Sequence, residues 1–104
     1  MNELPIVCTL TARERRARRE ELLRGLVTRA EERTPLQSGY SFRFAARDGL
    51  VEEIGRVIEV ERGCCAFLRF DLSIAAGGGP VWLTLTGPPR TKEFLSTEIE
   101  ATAP

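Results

Sequence analysis

Leu68–Thr86 reads LRFDLSIAAGGGPVWLTLT, and its alternation decides the fold. Leu68, Phe70, Leu72 and Ile74 alternate with Arg69, Asp71 and Ser73. Val81, Leu83 and Leu85 alternate with Trp82, Thr84 and Thr86. A two-residue period marks a strand with one face against the core and one toward solvent. Gly77-Gly78-Gly79-Pro80 between them is too rich in glycine for anything but a loop, so the two strands form a hairpin. Neither strand is apolar on both faces, as a sheet covered by helices on both sides requires. The sheet therefore has one covered face and one open face, in two layers.

The neighbouring segments extend this reading. Leu50, Ile54, Val57 and Ile58 recur at helical spacing, predicting a helix from about Leu50 to about Cys65 with Asp48 as its cap. Tyr40–Ala45 alternates as a strand, with Tyr40, Phe42 and Phe44 on one side. Thr11 and Glu14 have the spacing of a capping box, predicting a helix that runs to about Arg33 and stops before Pro35. Pro5–Leu10 reads as a strand with Ile6, Cys8 and Leu10 on the covered face. Downstream, Gly87-Pro88-Pro89 ends the hairpin, Thr91–Ile99 reads as a short helix, and Ala101–Pro104 is a tail. The predicted order is β-α-β-α-β-β-α. It implies an α/β (α+β) two-layer sandwich with a mixed four-stranded sheet and the helices on one face. Val7, Thr9, Ser41, Arg43, Asp71, Ser73, Trp82 and Thr84 would line the open face. The sequence carries no internal repeat, and its 104 residues read as a single domain, 1–104.

Composition removes several functional classes. Hydrophobic residues make up 42% and charged residues 29%, which excludes a disordered chain. Fifteen basic and fifteen acidic side chains cancel, which argues against nucleic-acid binding and anionic membranes. Five arginines fall within Arg13–Arg19, but Glu14, Glu20 and Glu21 interleave with them, as on a solvated helix face. No apolar run approaches the ~20 residues that span a bilayer. Met1–Val7 has no basic start and carries Glu3 and Pro5, unlike a secretory leader. The expectation is a cytoplasmic protein with no membrane partner. The chain has no histidine, so a Ser-His-Asp triad, a Cys-His pair and a His-rich zinc site are all excluded.

The chemistry that remains lies in Glu59–Phe70, EVERGCCAFLRF. With Ile54 set at zero on a wheel of about 100° per residue, Glu61 falls near −20°, Cys65 near +20° and Cys64 near −80°. Glu61 thus sits in the middle of the apolar stripe, while Glu59 points to water. A carboxylate there breaks the hydrophobic pattern, as functional sites do. Glu61 also lies over Cys64 and Cys65 at i+3 and i+4. Cys8 projects from the covered face of the sheet, so three thiols and a carboxylate can converge.

Three functions compete for this cluster. A helix C-terminus and a neighbouring carboxylate both oppose thiolate formation, and a soft cation reverses this by supplying the positive charge itself. The favoured reading is therefore a soft metal or metalloid site: Cys8, Glu61, Cys64 and Cys65 around Zn(II), Cu(I), Hg(II) or trivalent arsenic. The second is a thiol oxidoreductase or thiol transferase. In it Cys64 or Cys65 attacks, Cys8 resolves and Glu61 is the base. A Cys64–Cys65 disulfide would be strained, whereas Cys8 can reach either partner. The third is a non-catalytic homodimer or interaction module that uses the open face carrying Arg43, Asp71 and Trp82, with the cysteines as small core hydrophobes.

The segments CTLT (8–11), ERR (14–16), GYSFRF (39–44), ERGCCAFLRF (61–70), GGGPVWLTLTGP (77–88) and TKEFL (91–95) together resemble a family of small uncharacterised bacterial proteins. Its mark is an acid, two residues, then Cys-Cys-x-Phe, and similar segments are appended to some MerR-type metal-responsive regulators. The matching positions here are Cys8, Glu61, Cys64, Cys65 and Phe67. The family's usual proline after the second cysteine is Ala66 in this chain. The resemblance implies a heavy-metal or thiol context.

Overall fold

A computed structural model describes residues 13–100. Its elements are α1 (Arg13–Val27), β1 (Glu32–Leu36), β2 (Gly39–Phe44), α2 (Leu50–Cys64), β3 (Arg69–Ile74), β4 (Val81–Thr86) and α3 (Thr91–Glu100). The class is α+β in two layers. The sheet order is β1-β2-β4-β3, and every pairing is antiparallel.

Three expectations change. Among the described residues the sheet is antiparallel rather than mixed, because it consists of two hairpins, β1-β2 and β3-β4, joined side by side through β2 and β4. The first helix ends at Val27, not near Arg33. Its exit tightens through Arg29 N–H to Leu26 O and Ala30 N–H to Val27 O, and Glu31 N–H then donates to Arg43 O at 2.7 Å, opening the β1 ladder. Pro35 is therefore a strand residue. It is tolerated because β1 is an edge strand, where a missing N–H costs no ladder bond. The cap of α2 is Gly49 at φ 81°, with no side-chain cap hydrogen bond, rather than Asp48. The expected strand Pro5–Leu10, the capping residue Thr11 and the tail lie outside the described residues, as do the side chains of Arg13–Arg16 and Arg18–Glu20.

The core lies where the alternation of β2 and β4 puts it, whereas in β3 Leu72 and Ile74, expected on the covered face, are exposed because β3 is an outer strand beyond the helices' cover. Tyr40, Phe42 and Phe44 of β2 and Val81, Leu83 and Leu85 of β4 are buried against Leu23, Leu26, Leu50, Ile54, Val57 and Leu95. Each large apolar side chain removed from water contributes about 1.5–3 kcal/mol. Gly39 closes the β1-β2 turn against β4, and a Cβ there would stand 1.8 Å from Leu85 O. The other face is left to Arg43, Trp82 and Ser73 in one register row and to Ser41, Thr84 and Asp71 in the next. No helix among the described residues is long and apolar enough to cross a membrane.

The architecture also repeats. Val27 and Cys64, which end the two long helices, are 37 positions apart, and so are Glu32 and Arg69, which start the strands after them. Each helix has 15 residues, and each is followed by a hairpin. The sheet order then relates α1-β1-β2 to α2-β3-β4 by an approximate two-fold between β2 and β4. The sequences of the two units do not show it.

Candidate thiol site

The buried residues of α2 are Leu50, Ile54, Val57, Glu61 and Cys64, a stripe whose steps alternate between four and three residues. Glu61 holds a core position in that stripe, as the wheel predicts, and its exposure is 0%. Glu59 points outward and pairs with Arg62 at 3.3 Å. The helix ends at Cys64, and Cys65 caps it at φ −113°, ψ 80°. The Cys65 N–H donates to Glu61 O at 2.6 Å, and Leu68 N–H donates to Cys65 O at 3.1 Å. These two bonds turn the chain through residues 65–68, so both vicinal cysteines face the interior. Cys64 is 1% and Cys65 0% exposed.

The two sulfurs differ in state. Cys64 is disulfide-bonded. Cys65 is a reduced thiol, and its Sγ lies 3.8 Å from Cys64 Sγ. Glu61, Cys64 and Cys65 are thus brought together on the last turn of α2. Cys8 lies outside the described residues. Among the described residues no group of three His, Cys, Asp or Glu side chains is arranged to hold a metal ion.

Two packing contacts follow the thiols, one at Phe67, which the family motif marks, and one at Gly87. Phe67 stacks edge-on against Phe94 of α3, with centroids 5.1 Å apart at 84°. Gly87, at the end of β4, packs so tightly that a Cβ would stand 2.5 Å from Thr91 Oγ1 and 3.0 Å from Phe67 O. The two prolines after Gly87 signalled only the end of a strand. Thr91 is 0% exposed, and among the described residues its hydroxyl has no hydrogen-bond partner.

The open face has a different character. The Arg43 guanidinium lies 6.0 Å from the Trp82 ring centroid and pairs with Glu31 at 3.2 Å. Ser41 and Thr84 share a hydrogen bond of 3.0 Å, and Arg69 donates to Asp71 at 3.1 Å. Arg43 and Trp82 adjoin, while Asp71 sits a row away, already paired. A cleft of about 320 Å³ opens elsewhere, between α1 and the first half of α2, over Leu22, Leu26 and Val57. Its rim is committed in part, because Glu53 bridges Arg29 and Arg47.

No protein-family model, curated protein or solved structure matches this chain.

Proposed function

We propose that the chain carries a buried thiol–disulfide centre and functions as a thiol oxidoreductase or redox-responsive protein. The supporting observation is that Cys64 is disulfide-bonded while its chain neighbour Cys65 remains a thiol 3.8 Å away. The chain has three cysteines, so the reading assigns Cys8 as the partner of Cys64. Two electrons and two protons convert that disulfide to two thiols. Exchange within the site needs no external oxidant. Glu61 takes the Cys65 proton, Cys65 Sγ bonds to Cys64 Sγ, the bond to Cys8 breaks, and Cys8 leaves as the thiolate that recovers the proton. The product is a strained vicinal disulfide, so it is a transient that passes the oxidation on. Burial of both sulfurs favours small oxidants and reductants over protein substrates. Intracellular disulfides are mostly of this transient or sensing kind, in keeping with the expected cytoplasmic location.

The reduced form carries a second reading. Two sulfurs this close, on the helix turn that also carries buried Glu61, suit a soft ion, with Cys8 as third thiolate. A heavy-metal or thiol context is also what the family resemblance implies.

The test poises the reduced protein in glutathione buffers from about −150 to −320 mV, followed by alkylation and intact mass. The expected result is a single two-electron step to one disulfide that maps to Cys8 and Cys64, and is lost in Cys64→Ser. Three alkylated thiols at every potential would overturn the redox reading. Native mass spectra of the reduced protein with Zn(II), Cu(I), Hg(II) or arsenite decide the second. One ion per chain that survives competing small thiols supports it, and no uptake removes it.

A further inference from the structure

We propose that the open edge of β3 pairs with the same edge of a second copy, giving a two-fold dimer with one continuous sheet. Among the described residues the two outer strands of the sheet are β1 and β3, and the repeat makes them equivalent. They are not equally protected. Position 35 of β1 is proline, which has no N–H to offer, and Arg33 stands beside it with its guanidinium over Tyr40. The corresponding positions of β3 are Leu72 and Phe70. Leu72 is 38% and Ile74 56% exposed, and among the described residues the other exposed large apolar residue is Val51. Phe44, Val81 and Ile74 share one end of the sheet, and the short link after Phe44 brings the start of α2, with Val51, to that same end.

The backbone polarity of the edge follows from one bond. Ala75 N–H donates to Pro80 O at 3.1 Å, so Ala75 faces β4. Antiparallel alternation then turns Ser73, Asp71 and Arg69 toward β4, and the N–H and C=O of Phe70, Leu72 and Ile74 toward the open side. Those three residues are symmetric about Leu72. A second copy rotated about Leu72 sets Leu72 opposite Leu72 and Phe70 opposite Ile74. Every outward N–H and C=O then has a partner.

Charge selects this register. A shift that centres the two-fold on Asp71 sets two carboxylates directly opposite each other, which is destabilising. Centred on Leu72, Asp71 faces Ser73, and its charge is already met by Arg69 of its own strand. The occupant is therefore a second copy rather than an unrelated peptide, because the edge is complementary to itself in apolar pattern, hydrogen bonding and charge.

Sedimentation equilibrium of the whole chain, with Leu72→Lys, Ile74→Lys and Trp82→Ala as variants, tests this. The wild-type mass is expected to rise with concentration toward twice 11.6 kDa. Leu72→Lys, which places two charges face to face, weakens association at least tenfold, and Ile74→Lys weakens it less. Because both residues are exposed, their circular dichroism stays that of the wild type. A wild type that remains monomeric up to millimolar concentration overturns the proposal. So does a dimer that tolerates Leu72→Lys but is lost in Trp82→Ala, since that places the contact on the open face.

Discussion

Glu61 occupies a position where its helix otherwise places Leu50, Ile54 and Val57, and its burial follows from spacing alone. Its neighbour Cys64 can be separated from Cys65 by substitution. With Cys8 as its proposed partner, Cys64→Ala removes a covalent tie between distant parts of the chain and is expected to lower unfolding stability by about 2–4 kcal/mol. Cys65→Ala removes only a buried sulfur and costs about 1 kcal/mol. Urea unfolding of the oxidised proteins measures both, and equal losses would argue against a structural disulfide at Cys64. Thr91 offers a second test. Its hydroxyl is buried and, among the described residues, unpartnered, so Thr91→Val keeps the shape, removes the orphan group and is expected to be neutral or stabilising. Thr91→Ser keeps the orphan, loses a methyl group and costs about 1 kcal/mol. Thr91 could not be found by pattern, because its burial depends on Gly87, Phe67 and α3 meeting in space.

At the scale of elements, the strands whose sequence alternates, β2, β3 and β4, were legible, and the outer strand β1 was not. Tyr40, Phe42 and Phe44 alternate because one face meets the core, and the same holds for Val81, Leu83 and Leu85. β1 has no such alternation. Its residues Glu32–Leu36 are held by hydrogen bonds to β2 rather than by burial, so a charged segment ending in Pro35-Leu36 reads as the tail of a helix. The mixed sheet was inferred from the order of elements. Antiparallel pairing depends on which strands meet, and single-sequence periodicity does not carry that information. Two glycines decide where elements begin. Gly49 caps α2 at φ 81°, so Gly49→Ala is expected to cost about 1 kcal/mol. Gly39→Ala, whose Cβ would enter the Leu85 carbonyl, is expected to cost more. Thermal melts of the two variants should rank in that order.

At the scale of the whole molecule, the chain is two helix-hairpin units facing each other across β2 and β4. With that join as the main cooperative seam, hydrogen exchange of the monomer, at concentrations below dimerisation, should be slowest in β2 and β4 and fastest in β1 and β3. Equal protection in all four strands would mean that another element carries the core. The repeat has a further consequence for the thiols. Val27 and Thr28 stand in the first unit where Cys64 and Cys65 stand in the second. Val27 is buried and Thr28 exposed, whereas both cysteines are sealed inside. One corner of the fold is thus a sulfur-free twin of the thiol corner, with the same four-residue exit. Nature has left a blank beside the sample, and reactivity moved into it by Val27→Cys and Thr28→Cys would separate what the backbone contributes from what Glu61 and its surroundings contribute.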